Sequence, residues 1–238
     1  LWKSISIALN AELVKEIISK LPFDLTNGQK IALFQVLKDM EKNHWMLRLL
    51  EWDVWTGKTV IAMISTIHSI LEYRNRGDKN IFQVAIMAPT EILARQHFTW
   101  EKEFLESYWL RVELLVWSTT KKQKEIIKEQ IKSWLIDVII WTHALLQDDI
   151  LFCNLWYVII DEQHRFWVKQ RDILEKWLGN MSGVIPHSLN MTATPIPRTL
   201  ALTLYWDQDL SVISEYPKDR KIIHTKVIKN EEDREQVQ

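Results

Sequence analysis

The sequence predicts an α/β fold, a mainly parallel sheet with helices on both faces, on the strength of three observations. From Trp45 onwards, short apolar runs alternate with amphipathic stretches of about 10–15 residues. The runs are apolar without interruption, as strands buried on both faces of a parallel sheet must be; a strand with one solvated face would alternate. The chain of 238 residues also suffices for one full domain, since a chain of this size buries roughly 70% of the surface it exposes when unfolded. Right-handed crossovers between such strands put functional loops at their carboxyl ends.

Residues 1–20 read as helical and lie outside the repeating pattern, as the tail of a preceding region. Leu21–Gln29 (LPFDLTNGQ) is a turn-rich lead-in. Strands are then expected at Met46–Leu50, Phe82–Ala88, Val112–Val116, Asp137–Ile140, Tyr157–Ile160 and Ser188–Met191. Helices are expected at Thr59–Leu71, Glu91–Phe104, Lys121–Ser133 and Lys169–Leu178. Beyond Tyr216–Pro217 the chain turns polar, and Glu231–Glu235 is almost wholly charged. The expected organisation is a linker over 1–20, one domain over 21–216 and a second linker over 217–238.

Composition narrows the function classes. Lys+Arg 30 against Asp+Glu 31 leave a net charge of −1, which excludes a histone-like basic protein but not a local basic groove. A single cysteine, Cys153, excludes a disulfide framework and a multi-cysteine metal site. No apolar run reaches the roughly 18 residues that a membrane span needs, and no signal-peptide pattern follows Leu1. A soluble, cytoplasmic chain without membrane contact is expected, and the absent initiator Met suggests a piece of a longer one. Glycine and tryptophan are out of proportion, 5 Gly against 13 Trp, where average usage would give about 7% glycine.

Glu51–Val60, EWDVWTGKTV, follows the first apolar run and opens a helix. A phosphate-binding loop needs G-x-x-x-x-G-K-[ST] in that setting. Gly57, Lys58 and Thr59 fit its end: backbone amides around the phosphates, Lys58 on the β- and γ-phosphates, Thr59 on Mg²⁺. Trp52 stands where the first glycine belongs, and Asp53, Val54, Trp55 and Thr56 complete the loop. A glycine there allows φ > 0 and close approach of backbone to anion; an indole would be strained or would fill the phosphate space. Further on, Tyr157–Ile160 runs into Asp161-Glu162-Gln163-His164. A strand ending in Asp-Glu sets two carboxylates at the sheet edge, one to hold Mg²⁺ through water and one to position or deprotonate an attacking water. An acidic helix start would use the same residues. Gly57-Lys58-Thr59 upstream favours the catalytic reading, with Lys58, Asp161 and Glu162 as catalytic residues and Thr59 and Asp161 as the Mg²⁺ set.

Met191–Leu204 (MTATPIPRTLALTL), Asp161–Phe166 (DEQHRF) and Ala88–His97 (APTEILARQH), with LPFDLTNGQ and Arg48–Val54 (RLLEWDV) upstream, resemble the RecG family of superfamily 2 helicases over nearly all of residues 21–228. The resemblance implies a RecA-like P-loop NTPase domain. It would be the first motor domain of an ATP-dependent DNA translocase that remodels stalled replication forks and recombination intermediates. By the same resemblance Gln29 contacts adenine and the 52–59 loop holds the phosphates of ATP with Mg²⁺. Gln163, His164 and Thr192-Ala193-Thr194 couple the nucleotide state to DNA movement and to the neighbouring lobe. Pro89, Thr90, Thr142 and His143 occupy strand-tracking positions, where hydroxyls and backbone amides hold DNA phosphates without reading sequence. Ordinary strand-end capping by threonine is the competing reading. The implied partners are branched or forked DNA, a second motor domain whose arginines are worth 10³–10⁵ in rate where measured in related NTPases, and a wedge domain. Without those domains, weak nucleotide binding and poor hydrolysis are expected.

Two alternatives stay open. One is a transcription–repair coupling translocase, which shares TATPIPRTL. The other is a nucleotide-dead DNA-binding domain, should Trp52 and Trp55 be genuine. The RecG family reads glycine at Trp52, Trp55, Trp141, Trp167 and Trp206, and similarly at Trp117 and Trp156. The resemblance therefore implies that UGA codons, which some bacterial lineages read as glycine, stand here as tryptophan.

Lesser features read more plainly. Lys121–Lys132 (KKQKEIIKEQIK) carries an apolar face of Ile126, Ile127 and Ile131 with Glu125 and Glu129 among its lysines, so a solvated helix packed on the sheet is expected. Arg95 reads as a helix-surface charge and Cys153 as a small core filler. No second His or Cys with ligand spacing surrounds His164.

Overall fold

A computed structural model describes residues 3–52, 57–77, 81–142, 150–161, 184–192 and 209–213. In chain order the elements are α1 (Ala11–Ser19), α2 (Asn27–Met40), β1 (Leu47–Trp52), α3 (Lys58–Asn75), β2 (Gln83–Ala88), α4 (Glu91–Glu106), β3 (Val112–Leu115), α5 (Lys121–Lys132), β4 (Val138–Thr142), β5 (Leu155–Asp161), β6 (His187–Thr192) and β7 (Asp209–Ile213). All the strands run parallel in one 7-stranded sheet, in the order β3-β4-β2-β5-β6-β1-β7.

The uninterrupted apolar runs have the predicted cause. Val84, Ile86, Val138, Ile140, Tyr157, Ile159, Leu189 and Met191 turn to one face and form a core with α1 to α4. Their neighbours Ala85, Met87, Ile139, Trp141, Val158 and Ile160 turn to the other face, where Ile127 and Ile131 of α5 meet them. Successive strand side chains point to opposite faces, so a sheet covered on both sides needs an apolar residue at every position. Ile126 is 48% exposed, which narrows the expected apolar face of α5 to Ile127 and Ile131.

Helix starts follow local chemistry. Asn10, Thr26, Thr90 and Thr120 accept hydrogen bonds from the amides of Leu13, Gln29, Leu93 and Gln123 and so cap α1, α2, α4 and α5. Among the described helices, α3 alone opens without a side-chain cap, on Gly57 in the left-handed conformation.

The structure departs from the sequence reading in three places. Among the described residues of 1–20, only Ala11–Ser19 is helical; residues 4–10 have no regular secondary structure and are tied into the core. Ser4 Oγ donates to the Ile185 carbonyl at 2.7 Å, Ile7 N–H donates to the Met40 carbonyl at 2.7 Å, and Ile7 is completely buried. Helix α2 was legible only as a turn, although Thr26-x-x-Gln29 forms a capping box with both reciprocal bonds. Strand β7 was not foreseen. It is fixed through Arg48 of β1, buried at 7% exposure, whose Nε donates to Asp39 of α2 at 2.7 Å and whose Nη1 donates to Ser211 Oγ at 2.7 Å. The expected helix Lys169–Leu178 lies outside the described residues, and no described helix is long and apolar enough to cross a membrane.

Two buried histidines tie the amino-terminal segment down. His187 Nδ1 accepts from the Met46 amide at 3.1 Å and its Nε2 lies 2.6 Å from the Ile5 carbonyl, which requires the neutral ring with its proton on Nε2. His68 Nε2 accepts from the Asn10 amide at 3.1 Å. Burial pushes both rings down, each to about 4. Their unfolded value is about 6.5, so the unfolded chain takes up more protons as pH falls. Their contribution is full above pH 6.5 and is lost between 6.5 and 4, on the order of 1–2 kcal/mol per ring at pH 5. Urea unfolding of the chain is expected to show this loss, and His68→Gln to remove one ring's share of the slope; an unchanged slope would contradict the assignment.

Candidate active site

Strand order builds the site. β6 lies between β5 and β1, with Asp161 opposite Met191 and Thr192 opposite Glu51. The carboxyl ends of β5, β6 and β1 therefore stand side by side, and ligands of open parallel sheets bind outside such ends. On the far side of β5 lie β2 and β4, with Ala88 opposite Thr142. The predicted residues divide accordingly: Trp52, Gly57, Lys58, Thr59, Asp161 and Thr192 belong to the β5-β6-β1 half, and Pro89, Thr90 and Thr142 to the β2-β4 half. Asp53, Val54, Trp55, Thr56, His143, Glu162, Gln163, His164, Ala193 and Thr194 lie outside the described residues.

Gly57 joins β1's loop to α3 with φ 84°, a conformation that disfavours any side chain. A Cβ there would also come within 2.6 Å of Gln29 Nε2. Gln29 is 3% exposed; its Oε1 accepts from the Thr26 amide at 2.7 Å and its own amide donates to Thr26 Oγ1 at 3.2 Å. The capping box of α2 thus aims the Gln29 amide nitrogen at the foot of the loop. Lys58 and Thr59 form the first turn of α3, half-buried. These residues fit a nucleotide phosphate with Mg²⁺: a helix start without a side-chain cap, carrying a lysine, suits the anion, and the Thr59 hydroxyl with the Asp161 carboxylate suits a hard cation.

Asp161 does not stand alone. Its Oδ2 lies 2.9 Å from His97 Nε2, and His97 Nδ1 lies 2.7 Å from Glu101 Oε1. His97 and Glu101 sit four residues apart on α4, at 8% and 1% exposure. Burial opposes charge on the imidazole, but hydrogen bonds and attraction from Asp161 and Glu101 outweigh it and raise His97 to about 10. Burial also raises Glu101, against the pull of His97. His97, bonded through one ring nitrogen to Glu101 and through the other to Asp161, therefore fixes the direction of the Asp161 side chain. The reading of the sequence missed this chain of contacts. The His-x-x-x-Glu spacing on a predicted helix was a readable signal, but nothing in it named a partner on β5.

The other predicted residues are placed as follows. Thr90 spends its hydroxyl on capping α4, accepting from the Leu93 amide at 3.3 Å. Thr142 is 3% exposed, and its hydroxyl has no hydrogen-bond partner among the described residues. Thr192 is 1% exposed. Arg95 binds Glu91 at 2.8 Å and Ser118 at 2.9 Å on the surface. Lys124 of the lysine-rich helix lies over Trp117 at 5.0 Å. Cys153 is half-buried with Sγ 2.8 Å from the Lys132 carbonyl, at the rim of the core and not within it. Among the described residues no cluster of His, Cys, Asp or Glu could hold a metal without help from a ligand.

The profile of the family "DEAD/DEAH box helicase" matches residues 26–203. The chain belongs to the DEAD/DEAH box helicase family. It is 44% identical over 225 residues to the ATP-dependent DNA helicase RecG of Aquifex aeolicus (strain VF5), covering 94% of this chain and 27% of that protein. Against RecG of Haemophilus influenzae (strain ATCC 51907 / DSM 11121 / KW20 / Rd) it is 39% identical over 230 residues, covering 97% of this chain and 32% of that one. It also resembles the solved structure of RecG bound to a three-way DNA junction, with a TM-score of 0.72 and 40% identity over 92% of this chain and 28% of that chain. The chain thus spans about a third or less of the relatives it matches. As a helicase-family domain it has the all-parallel RecA-like sheet that the resemblance implied.

The buried chain of charges yields a prediction. Replacing His97 by Leu leaves Glu101 and Asp161 facing an apolar group, and unpairing a buried charge costs about 3–5 kcal/mol. The urea midpoint of H97L is expected to fall accordingly, whereas a midpoint within experimental error of the parent would show that His97 carries no such charge.

Proposed function

We propose that the chain is the first motor domain of a RecG-type, ATP-dependent DNA translocase acting on branched DNA in the cytoplasm. The observation that supports this most is the lateral order β5-β6-β1, which sets Asp161, Thr192 and the Gly57-Lys58-Thr59 turn at neighbouring strand ends. In this reading the amides after Gly57 and the Lys58 ammonium hold the phosphates of ATP, and Gln29, aimed by its capping box, faces the adenine. Mg²⁺, when bound, supplies neutralisation of charge on the phosphate oxygens, and Thr59 and Asp161 would hold it. Glu162 takes the proton of the water that attacks the γ-phosphate. His97 and Glu101 keep the Asp161 carboxylate oriented, so it need not reorganise when nucleotide arrives.

In this reading DNA meets the other half of the sheet at Pro89, Thr90 and Thr142, with His143 added by the family resemblance. Helix α4 starts at Thr90 and carries His97, so a rigid element spans the DNA half and the nucleotide half. Gln163, His164 and Thr192-Ala193-Thr194 complete the coupling. Branched DNA as substrate is supported by the RecG structure solved on a three-way junction. A second motor domain and a wedge domain complete the machine in this reading.

Thermal unfolding with and without Mg·ATP tests the reading. A ligand that binds only the folded state at a hundred times its Kd stabilises by about 2.7 kcal/mol, or roughly 5–10 °C for a domain of this size. That shift is expected when glycine occupies positions 52 and 55, and Lys58→Ala should abolish it. No shift with glycine at both positions would leave the nucleotide-dead DNA-binding reading.

A further inference from the structure

The backbone itself marks two positions where tryptophan is out of place. Among the described residues, the non-glycine residues with positive φ are Trp109 at 59° and Trp134 at 62°. In that left-handed region the Cβ of an L-residue crowds the following carbonyl oxygen, and a bulky side chain there is an outlier. Both positions end a crossover helix in the same way. After α4, Trp109 N–H donates to the Glu106 carbonyl at 2.9 Å and Leu110 N–H to the Leu105 carbonyl at 3.4 Å. After α5, Trp134 N–H donates to the Ile131 carbonyl at 3.4 Å and Leu135 N–H to the Gln130 carbonyl at 2.9 Å. This nested pair of bonds is the helix-ending motif whose left-handed residue is usually glycine. Helix α3 ends on such a residue too, and there it is Gly77, φ 75°.

Burial does not offset the strain at Trp109, and Trp134 is only half-buried. Trp109 is 88% exposed, so its ring gains little of the burial that makes tryptophan worth keeping. At both positions the neighbours use the backbone: Arg74 donates to the Trp109 carbonyl at 3.5 Å and Arg111 to the Trp134 carbonyl at 2.9 Å. Other tryptophans differ. Trp100 lies inside α4, where glycine would weaken the helix. Trp141, where the resemblance implies glycine, lies in β4 without a positive φ, so its backbone does not mark it.

We propose that the natural protein carries glycine where Trp109 and Trp134 stand, its UGA codons being read as glycine by the organism that makes it. Glycine at these two positions is inferred from backbone conformation, and the codon reading is the one the family resemblance implies. The choice of positions 109 and 134 is independent of the motor activity and of the resemblance that placed glycine at Trp52 and Trp55. Its consequence reaches the site nonetheless: the same codon reading at 52 and 55 returns both glycines to the phosphate loop.

Peptide mass spectrometry on the protein from its own organism, over Glu103–Arg111 and the peptide containing residue 134, is expected to find glycine at both positions; tryptophan at either overturns the proposal. A second measurement uses the chain made with tryptophan as written. Trp109→Gly and Trp134→Gly are each expected to raise the thermal midpoint by about 1–4 °C, the relief of strain exceeding the entropy of glycine. Trp100→Gly is expected to lower it by about 1–3 °C. A fall in the midpoint for the 109 and 134 variants, parallel to that of Trp100→Gly, would overturn the structural argument.

Discussion

The nucleotide site proposed for this chain depends on the parallel register of β6 between β5 and β1. That register is held from both faces. Leu189 and Met191 point into one core while Ser188 and Asn190 point to the opposite face, and a slip of one residue would exchange the two sets. The same slip would carry Thr192 away from Glu51 and Met191 away from Asp161. Packing energy distributed along the strands therefore fixes, to within a residue, which side chains share the site. Arg48 extends the constraint outward: buried between Asp39 and Ser211, it fastens β7 to β1 and α2 to both, and α2 carries Gln29.

A second constraint is electrostatic. A lone carboxylate at a strand end would sample its rotamers; Asp161 is held instead by His97, and His97 by Glu101. Both of these partners come from α4, the helix that Thr90 begins. The carboxylate proposed for the nucleotide side and the loop proposed for the DNA side are in this way parts of one rigid arrangement. That gives the proposed coupling a physical carrier within this chain.

Much of this was legible in the sequence. Uninterrupted apolar runs such as Val84–Ala88 announce a parallel sheet covered on both faces, and Gly57-Lys58-Thr59 after the first of these runs announces the glycine-led start of α3. What escaped had weaker local signals. β7 is short and half-exposed, with Leu210 and Val212 facing solvent, so its pattern lacks the buried-strand signature. Residues 4–10, SISIALN, are apolar enough for a core segment, but reading residues 1–20 as one helix hid the non-helical path that buries Ile7. The His97–Asp161 contact joins residues 64 apart in sequence, which periodicity cannot see. The tryptophans were suspect from composition and resemblance, but only backbone angles single out Trp109 and Trp134, because a helix-ending turn has no residue-type signature once its glycine is replaced.

The central claim is spatial: three strand ends, far apart in sequence, form one nucleotide site. Amide hydrogen exchange with and without Mg·ADP, on the chain with glycine at 52 and 55, tests it most directly. The account predicts slowed exchange at three separate places at once, the 57–59 turn, the end of β5 at Asp161 and the end of β6 at Thr192, with β3 and α5 unchanged. Protection confined to one of these segments, or appearing at the β2-β4 ends instead, would contradict it.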